Sequence, residues 1–404
     1  MNTTTFDVAS LHTQAPPQER VGSPRLDSVD LLRGVVMIVM ALDHTRDYFS
    51  DVHFDPTDLT RTSAALFLTR WITHFCAPVF MLLAGTSAYL SLGRGRGKAD
   101  LSRFLVTRGL WLVLLELTVI KLGWENWQVD PHSANLMVIW ALGWSMVALA
   151  ALIHLPLPAL VAFGLVLVCG HNLLDPWPAQ AFGAFEWLWR ILHVPGFLSG
   201  GDYDPNRFNV FVAYPLVPWI GVMALGFALG RWLDTDATKR RRVLLRLGSG
   251  LIVLFVVLRA GNLYGDARPW SPQASPLLTL FSFVKTTKYP PSLQYLAMTL
   301  GPALLALALF ERWRGRGADF VRVFGRVPMF YYLLHTFLLS SLAAIAWGVV
   351  FGEAFFVWEP PAAGGWSLPV VYAIWIGVVL VLYVPCRWFA ALKARRREAW
   401  LSYL

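Results

Sequence analysis

The sequence predicts an all-α protein, a polytopic membrane helix bundle of about ten transmembrane helices with both termini in the cytoplasm. Three observations carry that expectation. The 404 residues are 56% apolar. Apolar runs of about twenty residues, the length that crosses a hydrocarbon core, recur along the whole chain. The basic clusters between those runs fall on alternate connections, as expected where Lys and Arg are retained on the cytoplasmic side.

Residues 1–24 are polar, rich in Thr, Pro and Gln, and lack an apolar h-region, so they read as a disordered cytoplasmic tail rather than a signal peptide. A transmembrane domain follows over 25–392, with spans at 29–48, 66–91, 104–122, 135–153, 157–175, 209–231, 243–262, 291–311, 325–350 and 368–391. Residues 393–404 read as a basic cytoplasmic tail. The basic clusters are "GRGRGK" (93–98), "KRRRVLLR" (239–246), "ERWRGRG" (311–317) and "KARRR" (393–397). With ten spans all four share one side, which is then cytoplasmic. The opposite connections are acidic, aromatic and proline-rich, with tryptophans suited to an interfacial belt.

The net charge of +9 therefore reports membrane orientation. A nucleic-acid partner would require the cations on one soluble face, and none is expected. Cys76, Cys169 and Cys386 lie in or beside apolar segments with no CxxC pair and no Cys/His metal spacing, so neither disulfides nor a metal site is expected.

The first span, "SVDLLRGVVMIVMALDHTRDYF", holds ionisable groups at both ends, and such groups are costly in a bilayer. Asp30, Arg33, Met37, Met40 and His44 form one helical stripe, with Arg33 and His44 about 16 Å apart along the axis. Arg33 can reach an anion or pair with Asp30, while His44 sits at the outer end. Taken singly, a snorkelling arginine and an interfacial histidine would explain either residue. The second span adds Arg70 and His74 at i and i+4 near the same outer boundary, and the loop between the spans carries His53. His44, His53, His74, His132, His171 and His193 all fall on the outer side, which gathers there the groups suited to proton transfer near neutral pH. Glu116 reads as a functional carboxylate or as a partner of Lys121. Lys285 and Lys288 read as solvated or anion-attracting, and His335 as a hydrogen-bonded core histidine.

"RLDSVDLLRGVVMIVMALDH" followed by "RWITHFCAPVFMLLAGTSAYL" resembles the start of the transmembrane acyltransferase superfamily, in particular bacterial members of the heparan-alpha-glucosaminide N-acetyltransferase catalytic-domain family. The likeness is most specific over 25–92 and continues more loosely through "WALGWSMV", "VAYPLVPWIGVMALG", "TTKYPPSL" and "FGRVPMFYYLLH". It implies acetyl transfer from cytoplasmic acetyl-CoA, as co-substrate, to a sugar, glycan or glycolipid acceptor across a cell membrane, in bacteria the inner membrane. In the wider superfamily a D-x-x-R arginine is followed eleven residues later by a functional histidine, a spacing matched by Asp30, Arg33 and His44. Heparan-type relatives carry asparagine at the position resembling His44 and a catalytic histidine in the next outer loop, which makes His53 its rival.

On this basis Arg33, Arg103 and Arg108 are expected to hold the phosphates of acetyl-CoA. His44, supported by Asp43, is expected to deprotonate the acceptor or to carry the acetyl group itself, with His53 and His74 as alternates. Homo-oligomerisation is compatible with the sequence. The competing class is a proton-coupled secondary transporter or flippase using His44, His74, Glu116 and the lysines as a relay. No internal repeat with paired broken helices supports it.

Overall fold

A computed structural model describes residues 26–403 except 94, 359, 360, 362 and 397. The proposed tail 1–24 lies outside the described residues. Long apolar stretches become helices because a helix satisfies its own backbone groups wherever water is excluded. In chain order these are α1 (Asp27–Phe49), α2 (Ala64–Thr73), α3 (Cys76–Leu92), α4 (Lys98–Leu115), α5 (Lys121–Trp124), α6 (Val138–Leu152), α7 (Leu157–Gly170) and α8 (Glu186–Leu192). The second half holds α9 (Leu216–Leu233), α10 (Ala237–Ala260), α11 (Pro276–Val284), α12 (Leu293–Phe310), α13 (Arg316–Arg326), α14 (Pro328–Phe351) and α15 (Leu368–Arg395). Among the described residues, seven helical segments are long and apolar enough to cross a membrane: Ala64–Leu92, Leu157–Leu174, α9, α10, α12, α14 and α15. Three further expected spans coincide with α1, with α4 and its continuation, and with α6. The first two carry more charge, and α6 is shorter.

The all-α bundle fits, with one small addition in the connections. The connections before α6 and before α9 contribute a small sheet in which β1 (Ser133–Leu136) runs parallel to β3 (Asn209–Val212), and β2 (Gly196–Phe197) pairs antiparallel with β3. Asn209 therefore begins a strand rather than a helix, and the strand leads through Tyr214 into α9. The basic segment from 393 also begins inside a helix, since α15 continues through Arg395.

Helices meet where small residues let backbones touch. On α3 and α9, a Cβ at Gly85 would lie 2.0 Å from the Met223 carbonyl oxygen, and one at Gly226 would lie 2.2 Å from that of Leu82. The Thr86 hydroxyl donates to the Gly226 carbonyl at 2.9 Å across the same contact. Gly109 and Gly143 join α4 to α6 in the same reciprocal way. α1 lies at the centre, in contact with α2, α3 and α12 to α15. Its backbone carbonyls also hold distant indoles: Trp375 Nε1 donates to Ile38 at 2.8 Å and Trp347 Nε1 to Tyr48 at 3.0 Å.

Candidate active site

One face of α1 lines a cavity of about 640 Å³, within the size range of small-molecule sites. Val29, Asp30, Arg33, Met37, Met40 and His44 succeed one another along its wall, so the cavity follows the helix for about 21 Å between Asp30 and His44 at 1.5 Å per residue. The end near the start of α1 is cationic, with Arg33, Arg96, Arg108, Arg326 and Lys393 in the wall beside Asp30. The middle is apolar, formed by Met37, Met40, Phe80, Leu112 and Met146. The other end is polar again, with Asp43, His44, Thr73, Tyr214, Lys288 and Tyr332.

Arg33 is held by three groups from three helices: Asp30 Oδ1 at 3.3 Å, Ser87 Oγ at 2.9 Å and the Gly325 carbonyl at 3.2 Å. The last contact depends on α13 lying directly against α1, where a Cβ on Gly325 would meet the Asp30 carbonyl oxygen at 1.8 Å. Arg108 lines the cavity beside Phe104, whose ring also receives the Arg96 guanidinium at 4.3 Å. Arg103, the third expected phosphate ligand, is exposed and absent from the wall. Five positions separate it from Arg108, about 140° around the helix.

At the other end, His44 Nδ1 lies 2.8 Å from His335 Nε2, and His335 Nδ1 lies 2.8 Å from the Tyr331 carbonyl oxygen. Trp124 packs edge-on against the His44 ring at 4.6 Å. Asp43 turns elsewhere, pairing with Arg70 at 2.5 Å and Arg46 at 2.9 Å. The hydrogen-bond neighbour of His44 is His335, while Asp43, in the same end of the cavity wall, pairs with the two arginines. His74 is buried outside the cavity wall, and its carbonyl accepts from the Tyr295 hydroxyl at 2.6 Å. His53 bonds the Gly364 carbonyl at 3.0 Å and lines a second hollow of about 540 Å³, together with Asp47, Trp124, Trp347 and Trp358. Trp124 belongs to the wall of that hollow and touches His44, so it stands between the two spaces.

Lys288 reaches the cavity on a loop fixed from behind. Asp266 accepts from Thr287 N at 2.8 Å and Ser292 Oγ at 2.7 Å, and buried Arg259 donates to the carbonyls of Ser282, Phe283 and Lys285. Glu116 Oε2 accepts from Trp140 N in the first turn of α6 at 3.1 Å, while Lys121 pairs with Glu125 at 2.6 Å. Among the described residues no three His, Cys, Asp or Glu side chains are grouped to hold a metal.

Sequence reading missed Arg326, Lys393, Tyr214 and Tyr332 in the wall, and it read His335 as a hydrogen-bonded core histidine without its contact to His44. "FGRVPMFYYLLH" contains Arg326, Tyr332 and His335 and was the available signal.

Residues 25–264 match the family described as heparan-alpha-glucosaminide N-acetyltransferase, catalytic, and the chain belongs to that family. It is accordingly an acetyltransferase-type, multi-pass membrane protein. No curated protein matches the sequence.

Proposed function

We propose that the protein transfers an acetyl group from cytoplasmic acetyl-CoA to a sugar or glycan acceptor on the extracytoplasmic side, in the bacterial inner membrane, with His44 as the reacting base or nucleophile. The observation that carries this reading is the polarity of the one cavity along α1: five cations at one end, an apolar waist, and a histidine at the other. A CoA thioester has the same order of chemistry, with phosphates, then a thin pantetheine arm, then the acetyl carbon. The basic clusters mark the cationic end as cytoplasmic. On this orientation α1, α4 and α6 complete about ten spans with both termini on the cytoplasmic side.

Arg96, Arg108, Arg326 and Lys393 hold the phosphates, with Arg33 fixing the mouth. The acceptor approaches through the aromatic hollow on the far side of Trp124, whose indoles suit a sugar ring. In direct transfer, His44 Nε2 takes the acceptor proton, the acceptor bonds the acetyl carbon, the C–S bond breaks, and the proton passes to the CoA sulfur. In the two-step route, Nε2 bonds the acetyl carbon as the C–S bond breaks and CoA leaves as the thiolate; the acceptor then bonds the acetyl carbon as the Nε2–C bond breaks, and the acceptor proton passes to the CoA sulfur. Lys288 stands at the same end, where a cation stabilises the tetrahedral oxyanion.

The test is label transfer from acetyl-CoA by purified, reconstituted protein to amino sugars and membrane glycans. Acceptor-dependent transfer lost in His44→Ala is expected. Wild type that neither binds acetyl-CoA nor releases CoA with any acceptor would overturn the proposal in favour of the transporter.

A further inference from the structure

We propose that His335 is a positioning residue that fixes the proton of His44 on Nδ1 and so presents the Nε2 lone pair to the cavity. This rests on the acyl-transfer reading above and adds to it the residue that holds the reacting nitrogen. His335 is fully buried and absent from the cavity wall, so it acts only through His44.

The proton assignment follows from the acceptors available. His335 Nδ1 faces the Tyr331 carbonyl oxygen at 2.8 Å, and a carbonyl only accepts, so Nδ1 carries the hydrogen. A neutral imidazole has one N–H, which leaves His335 Nε2 as an acceptor. The atom 2.8 Å away is His44 Nδ1, which must therefore donate. His44 Nε2 is then unprotonated, as both the base and the nucleophile routes require. A second-partner hydrogen bond commonly sets which ring nitrogen reacts.

Packing holds the pair in register. The planes of the two imidazoles are nearly parallel, at 13° with centroids 5.0 Å apart, and the Tyr331 ring stacks on His335 at 5.0 Å. Trp124 and Tyr332 meet His44 edge-on, and Trp124 Nε1 donates to the Tyr332 hydroxyl at 3.2 Å. A ring held on these sides does not flip to offer its other nitrogen. When Nε2 takes the acceptor proton, the resulting imidazolium keeps its Nδ1–H bond to His335 Nε2, which therefore stabilises the charged intermediate.

The experiment uses full-length protein with 15N-labelled histidine in nanodiscs, assigning the His44 signals by their loss in His44→Gln. Wild type should show His44 protonated at Nδ1, a result readable whether or not turnover occurs. His335→Leu should mix the tautomers and lower kcat about 10- to 100-fold, with KM for acetyl-CoA unchanged. His335→Gln, whose Oε1 can accept the same hydrogen bond, should recover most of kcat. A His44 proton on Nε2 in wild type overturns the inference. So does a folded His335→Leu with wild-type kcat, or one in which KM alone changes. Failure of acetyl transfer in wild type with the Nδ1 tautomer present would sink the acyltransferase reading alone.

Discussion

Asp43 is expected to contribute to the architecture of the site rather than to its proton chemistry, and a double-mutant cycle with Arg70 measures this. Its carboxylate bridges Arg70 on α2 at 2.5 Å and Arg46 on α1 at 2.9 Å, with the Asp43 and Arg70 side chains 14% and 18% exposed. Asp43→Asn leaves two largely buried guanidiniums facing a neutral group. Arg46 retains Asp47 at 2.6 Å, so most of the loss falls on Arg70. Breaking a buried pair from one side costs about 3–5 kcal/mol. Asp43→Asn and Arg70→Met should each lose stability in that range. The double variant removes both charges and should fall about 2–3 kcal/mol short of the sum, the coupling of residues in contact. The assay is reversible SDS unfolding in mixed micelles followed by tryptophan fluorescence. Singles costing less than about 1 kcal/mol, or a double equal to their sum, would refute the reasoning.

Three further outcomes are expected. Ala84→Phe places a ring in the apolar waist, and it should weaken acetyl-CoA binding at least tenfold by calorimetry while thermal stability stays within a few degrees. Gly325→Leu puts atoms where the Asp30 carbonyl already sits 1.8 Å from a Cβ, so it should separate α13 from α1 and destabilise by more than about 3 kcal/mol, read in the same SDS assay. In the loop after α1, burial raises the Asp55 pKa, but hydrogen bonds from the Thr57 N–H and hydroxyl outweigh it and hold the carboxyl below its usual range. A lowered folded pKa gives stability that is full above the unfolded value and is lost as pH falls through the folded one. Hydrogen exchange at Thr57 should therefore stay slow at neutral pH and quicken only below the ordinary carboxylate range, and Asp55→Asn should abolish that acid dependence.

Seven spans were legible because bilayer thickness imposes a length that appears directly as apolar runs. The stripe from Asp30 to His44 was legible because a helix repeats every 3.6 residues, and those side chains do line one wall. Arg103 lies outside the wall because the helical phase of α4 turns Phe104, Leu105, Arg108 and Leu112 toward the cavity. The partner of His44 was illegible for a different reason. His335 is 291 positions away, and its proximity depends on how α14 packs against α1, which no local pattern encodes. The glycine contacts are similar, since Gly325 gains its meaning only from the backbone of α1. The three-stranded sheet escaped because its strands are too short to show a period-two pattern within proline-rich connections.

The most direct test of acetyl transfer across the bundle is a sided assay in proteoliposomes of known orientation, with labelled acetyl-CoA on one face and acceptor sealed on the other. Product should form only when acetyl-CoA is supplied at the face bearing Arg96 and Arg326, and His44→Ala should abolish it. Product formed from acetyl-CoA at the opposite face, or undiminished in His44→Ala, would contradict it.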